Sequence, residues 1–183
     1  MQVRPHALPA HSLLTRYETK GGYTDCFIVD VAGAHTHAQY VEAFYTTWLF
    51  KLERVVLTLL VAKPSSDLEA RELASGNREK FAAWSVEARA PEQLLARDFQ
   101  GKTCSWLMAE PGSVNGATTT RLYFGTGIVP RSVRNGERRL TTSFRALLPF
   151  HRFYARALLG AAASRLVLRP GGNQRLPPGA YRR

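Results

Sequence analysis

The longest periodic pattern in the chain lies near its C-terminal end. Apolar residues recur there at steps of three and four, which predicts one helix from Thr142 to Leu168. Such a helix would be about 40 Å long at 1.5 Å per residue and would need a large apolar surface to lie on. Pro149 should kink it or move its true start to about Leu148. The residues of its predicted apolar face are Phe144, Leu147, Leu148, His151, Tyr154, Leu158 and Ala162.

Strand patterns fill most of the chain before this helix. Short connections between them predict an antiparallel meander that the helix covers. Residues 112–116 are expected to form a loop after a strand that ends before Pro111. Gly125 and Gly127 predict a bulge or a close approach of backbone in the last strand. The predicted strands are residues 23–31, 84–89, 94–99, 103–110 and 118–129.

Helical patterns interrupt the strands between the first and the second. Thr36 with Gln39, and Ser66 with Glu69, have the spacing of capping boxes. The first box precedes a stripe of apolar residues at helical spacing. The adjacent Thr46 and Thr47 should divide this stripe into two helices, and the second helix should end before Pro64. The second box predicts a short helix over residues 67–75 with Gly76 as its stop. The residues of the stripe are Tyr40, Phe44, Trp48, Leu52, Val55, Val56 and Leu59.

These elements together predict an α+β fold, in which a curved antiparallel sheet packs on a long C-terminal helix. A length of 183 residues suits one domain with a sizeable core. We assign residues 1–22 to an N-terminal arm, residues 23–168 to the domain and residues 169–183 to a disordered basic tail.

The net charge of +11 is unevenly distributed. Residues 131–183 contain 12 Arg and a single acidic residue, Glu137, whereas basic and acidic residues balance in residues 1–130. An anionic partner, which is nucleic acid, a lipid headgroup surface or an acidic ligand, could bind Arg145, Arg152 and Arg156. A solvated Arg face with a disordered tail explains the same charge and is the commoner case. Binding that weakens steeply with salt would favour the anionic partner.

The sequence contains few signals for a cellular compartment or for a cofactor. No apolar run approaches the length of a membrane span, and no signal-peptide pattern opens the chain, so we expect a cytoplasmic protein. Cys26 and Cys104 fall in predicted strands and are expected to be reduced and buried. His35 and His37 lack further ligands at metal-binding spacing. No phosphate-binding or dinucleotide-binding motif is present, so no cofactor is predicted. The oligomeric state is not predicted.

The order of elements resembles a known superfamily. Residues 81–89, Trp106-Leu107-Met108, residues 120–124 and the helix from Phe144 are similar to the START-like, helix-grip superfamily (SRPBCC, the polyketide-cyclase and lipid-transfer group), and particularly to its bacterial members. The similarity covers residues 23–168. It implies a pocket for an apolar small molecule between the concave face of the sheet and the last helix.

Several side chains could line such a pocket, although all of them could equally fill a core. His151 and Tyr154 share the apolar face of the last helix and could orient a ligand or move a proton. We therefore expect a binding protein for a small apolar ligand, with a cavity on the order of 300 Å³ or more. An enzyme of the cyclase or dehydratase type, using the same pocket, is the alternative. The predicted ligand-binding residues are Trp84, Trp106, Met108, Leu147, His151 and Tyr154.

Overall fold

A computed structural model describes residues 1–19, 21–52, 65–128 and 142–168, with side chains from residue 148 onward in the last range. It confirms the predicted α+β architecture. Seven antiparallel strands form one curved sheet in the order β1-β2-β7-β6-β5-β4-β3, and the C-terminal helix packs on it. The strands are β1 (Arg4–Pro5), β2 (Tyr23–Ala32), β3 (Lys80–Phe81), β4 (Trp84–Ala90), β5 (Gln93–Asp98), β6 (Thr103–Val114) and β7 (Ala117–Ile128).

The helices begin where the capping patterns predict. Thr36 and Ser66 each accept a hydrogen bond from the backbone of the residue three positions later, and both capping boxes are complete. The helical stripe is interrupted at residues 46–47 as predicted and resumes over residues 48–52, while its predicted end before Pro64 lies outside the described residues. The helices with complete bounds are α1 (Thr15–Glu18), α2 (His37–Tyr45), α3 (Asp67–Ala74) and α4 (Thr142–Leu168).

The hairpin of β6 and β7 corrects the predicted loop at residues 112–116. β6 continues through Pro111 to Val114, and only Asn115 and Gly116 form the turn, with φ of 52° and 78°. Positive φ at both positions is the requirement that makes Asn-Gly a favoured two-residue hairpin turn. The first residue of β5 pairs with Met108, so beyond that point β6 is paired only with β7. Pro111 is tolerated because it lies in this part of β6, which has an edge.

Both faces of the central strands are buried. Helices α2 and α4 cover one face, which we call the inner face, and form a large apolar core with Phe27, Phe44 and Phe124. The N-terminal arm covers the outer face, where Leu14 and Tyr17 are 0% and 5% exposed. The arm is therefore packed into a second apolar core.

A buried amide attaches this arm to the sheet. The Gln93 side-chain oxygen accepts hydrogen bonds from the Leu13 backbone and from the Trp106 indole, both at 2.9 Å. The Gln93 nitrogen donates to the His11 carbonyl at 3.2 Å. Every polar atom of the amide thus has a partner, which is the condition for burying it without a large loss of stability.

Gly125 and Gly127 allow the arm to approach closely. Pairing of β7 with both neighbours is continuous past them, so the close approach is found and the bulge is not. A Cβ at Gly125 would lie 2.8 Å from Leu14 and 2.9 Å from Trp106. The absence of a side chain is therefore required for Leu14 to lie on the sheet.

Three further features complete the fold. The two-residue edge strands β1 and β3 have no signal in the hydrophobic pattern and extend the predicted sheet on both sides. Cys26 and Cys104 are buried and free, as predicted, and burial raises the pKa of each thiol to about 12. Within the described ranges, none of the helices has the combination of length and hydrophobicity that crossing a bilayer requires.

We predict that Gly125→Ala destabilises the protein by about 1–3 kcal/mol, because Leu14 or Trp106 must shift to admit the methyl group. Gly160→Ala is the matched control, since its nearest contact would be an ordinary 3.7 Å to Val3. Alanine in a helix should there stabilise by about 0.5–1 kcal/mol. Urea unfolding of both variants measures the difference, and equal stabilities would contradict the close-approach argument.

Candidate functional site

A cavity of about 180 Å³ lies between α4 and the inner face of the sheet. Side chains from α2, α4 and four segments between them converge on it, and most of its wall is apolar. In another protein, an engineered apolar cavity of similar volume binds a single aromatic ring. Its lining residues are Phe44, Tyr45, Phe50, Trp84, Thr103, Ser105, Phe124, Thr126, Ile128, His151, Tyr154, Ala155 and Leu158.

A polar row crosses the sheet beside this cavity. Asp25 on β2 pairs with Thr126 on β7, and Thr126 pairs in turn with Ser105 on β6. Directly paired residues on one face have Cβ atoms about 4.5–5.5 Å apart, so the three side chains are neighbours. Ser105 and Thr126 are 6% and 5% exposed. Ser105 and Thr126 thus place polar side chains against the cavity, among apolar residues of the inner face.

Asp25 and His151 form an acid–base pair at one end of the row. The Asp25 side chain is 7% exposed and lies 3.5 Å from Nε2 of His151, measured from Oδ2. The same carboxylate accepts hydrogen bonds from the Thr126 backbone at 3.1 Å and from the Tyr23 hydroxyl at 3.2 Å. Burial and the neighbouring carboxylate raise the pKa of Tyr23 to about 12. The Asp25 carboxylate is therefore paired with two hydrogen-bond donors and has the His151 ring beside it.

Three polar side chains of the cavity wall have no hydrogen-bond partner among the protein groups that the structure describes. They are the indole nitrogen of Trp84 and the hydroxyls of Ser105 and Thr126. Buried polar groups are nearly always paired, and an unpaired one costs about 1–3 kcal/mol. Within the described residues these three groups are therefore exceptions that require an explanation.

The structure brings together three of the six predicted ligand-binding residues. Trp84, His151 and Tyr154 line the cavity, and the Tyr154 ring stacks on Phe150 with 6.4 Å between centroids. Trp106 and Met108 lie on the outer face, in the core under the N-terminal arm. The side chain of Leu147 lies outside the described residues.

Asp25, Ser105 and Thr126 were not predicted, yet the sequence contains a signal for each. On β2 the inner face carries Phe27, Val29 and Val31, so Asp25 is the charged residue of an apolar set. On β7 Thr126 lies between Phe124 and Ile128, and on β6 Ser105 precedes the apolar residues of the same face. The alternation of side chains along each strand would have identified all three residues if it had been known which face of the sheet meets the helix.

The predicted histidine pair occupies the start of α2. His37 is its first residue, and its Nε2 donates to the Leu107 carbonyl at 3.3 Å, while His35 Nε2 lies 2.9 Å from the Ala32 carbonyl. Burial lowers the pKa of His37 to about 4. Across the described residues, no group of three or more His, Cys, Asp or Glu side chains could hold a metal ion.

The outer side of α4 combines basic and aromatic residues. Arg152 and Arg156 are exposed, as predicted for a face turned away from the sheet, and the side chain of Arg145 lies outside the described residues. Phe150 and Phe153 beside them are 67% and 71% exposed. Binding of an anionic partner by this surface stays a prediction.

No protein-family model and no curated protein matches this sequence. The similarity to the START-like superfamily therefore stays a prediction. The observed sheet and C-terminal helix agree with the fold class that this similarity implies.

We predict that His37 makes the protein acid-sensitive. Its folded pKa of about 4 is below the ordinary 6.5, so the unfolded chain binds a proton first as pH falls. The stabilisation is present above pH 6.5 and is lost towards pH 4, by about 3 kcal/mol. Urea unfolding at both ends of this range should show a smaller loss for His37→Gln, whose amide can still donate to Leu107. An equal loss in the two proteins would contradict the assignment, because the Asp30–Arg121 pair and the other titrating groups are common to both.

Proposed function

We propose that this protein binds a small, mainly apolar molecule in the cavity between α4 and the inner face of the sheet. The observation that carries the proposal is the set of three buried polar side chains in the cavity wall that have no hydrogen-bond partner among the described residues. A cavity that was only a packing defect would gain stability from apolar side chains at these positions. Polar groups retained at a cost to stability are typical of binding sites.

The size of the cavity limits the ligand. At about 180 Å³ the cavity is smaller than the predicted 300 Å³, so we propose a molecule with one substituted ring rather than a long lipid chain. Phe44, Phe124 and Leu158 supply apolar contacts around it, and burial of apolar ligand surface is the main favourable term. The similarity to the START-like superfamily supports the same location.

We predict that Ala155→Leu abolishes binding, because Ala155 is buried, lines the cavity and would fill much of it with a larger side chain. Native mass spectrometry of freshly purified protein should show a bound apolar molecule in the wild type. The Ala155→Leu variant should be free of it. Ala157→Leu is the control on the same helix, since residue 157 is outside the cavity wall, and it should retain the molecule.

Two results would contradict the proposal. One is a ligand retained equally by both variants, which would place the molecule elsewhere. The other is a wild-type protein that neither carries a molecule nor binds any of a panel of single-ring aromatic compounds.

A second candidate function, catalysis, is favoured by the Asp25–His151 pair at the cavity. A histidine oriented by a carboxylate is a common general base. Here His151 would take a proton from the carbon next to a substrate carbonyl, leaving an enolate and a protonated imidazole that Asp25 stabilises. This is the first step of a cyclase or dehydratase acting on a ketone.

Exchange of the methyl protons of acetophenone for deuterium tests this step directly, because enolisation is the same proton transfer. In D₂O the wild type should accelerate the exchange above the buffer rate, as followed by NMR. Replacing a general base typically lowers the rate by 10²–10⁴-fold, so we expect His151→Gln to return exchange nearly to the buffer rate. His35→Gln, at a histidine outside the cavity, should exchange like the wild type. Equal rates with and without protein would exclude a base of this kind at His151.

A further inference from the structure

The three unpartnered groups of the cavity wall have a chemical preference. The indole N–H of Trp84 can only donate a hydrogen bond, whereas the hydroxyls of Ser105 and Thr126 can donate or accept. A molecule that satisfies all three must therefore present an acceptor atom. An oxygen with two lone pairs can accept from Trp84 and from one hydroxyl at once.

The charges around the row exclude an anionic acceptor. Asp25 pairs directly with Thr126, and its carboxylate lies on the same face of the sheet. A ligand carboxylate beside Thr126 would meet this negative charge in a buried environment, where like charges repel strongly. The acceptor is therefore a neutral oxygen.

We propose that the cavity selects neutral molecules of one ring that carry a carbonyl oxygen, with this oxygen at the sheet and the ring among the apolar side chains of α2 and α4. Thr126, Ser105 and Trp84 are the specificity-determining residues. The inference rests on the proposed binding function and adds the chemical class of the ligand. Phe44 and Leu158, from the two helices, contact the ring, and these side chains offer the oxygen no hydrogen bond.

Two probes of similar size separate the polar contribution from the apolar one. Acetophenone and α-methylstyrene have the same number of heavy atoms and differ in composition only by a carbonyl oxygen in place of a methylene group. Dissociation constants from NMR titration should show acetophenone bound about tenfold more tightly by the wild type, the expected effect of one or two net hydrogen bonds.

Removing the donors should erase this discrimination. Thr126→Val keeps the shape of the side chain, Ser105→Ala removes the second hydroxyl, and Trp84→Phe keeps an aromatic ring without the N–H. In the triple variant we expect the two probes to bind within about twofold of each other, with the affinity for α-methylstyrene little changed. The thermal midpoint of each variant, measured without ligand, verifies that it is folded.

Thr120→Val is the matched control on the same strand. Its hydroxyl accepts from the His35 backbone and donates to the Gly33 carbonyl, both at 2.9 Å, away from the cavity. This variant should keep the tenfold preference although it loses stability. If it fails to fold, Thr24→Val replaces it, because Thr24 pairs with Gly127 and alternates to the other face from Asp25.

The outcomes separate the two levels of the proposal. Equal binding of both probes by the wild type, with loss of both in Ala155→Leu, would overturn the carbonyl preference and leave the binding function standing. A preference that survives in the triple variant would overturn the assigned residues. Failure of the wild type to bind either probe would overturn the binding function and this inference together.

Discussion

The constraint on which the rest of the structure depends is that the central strands are apolar on both faces. β6 presents Leu107 to the inner face and Trp106 to the outer face, and both are 0% exposed. A sheet of this kind must be covered twice. The helices α2 and α4 provide one cover, and the arm that contains Leu14 and Tyr17 provides the other. The glycines of β7 serve this second cover, because side chains there would hold the arm off the sheet.

The elements that could be predicted from the sequence are those with a local signal, either a capping pattern or an apolar face opposite a polar one. Helix bounds at Thr36 and Ser66 followed from capping residues, and α4 has the predicted bounds because its apolar period is long. The site was harder. Trp106 and Met108 were assigned to the pocket because a strand buried on both faces has no polar side to orient it. The position of the arm shows which face of the sheet each of these residues occupies. The arm has no strong periodicity from which that position could be predicted.

The polar row is a local exception to an apolar environment. Asp25 accepts hydrogen bonds from a backbone N–H and from Tyr23 and lies beside His151, whereas the neighbouring hydroxyls of Thr126 and Ser105 have no hydrogen-bond partner in the described part of the chain. The proposed ligand site rests on this contrast between a paired carboxylate and the two hydroxyls beside it. The surrounding aromatic core keeps these groups in position, since it leaves them little freedom to turn elsewhere.

The position of the arm in the chain has a consequence for synthesis. His11 contacts Glu110, which follows it by 99 residues, and Leu14 lies against Gly125 still further on. Chains are made at roughly 5–20 residues per second, so the arm waits on the order of 5–20 s before its half of the core exists. During that interval Leu14 and Tyr17 have no sheet to cover. The arm is therefore made well before the strands that it covers, and it can dock only after β7 has been made.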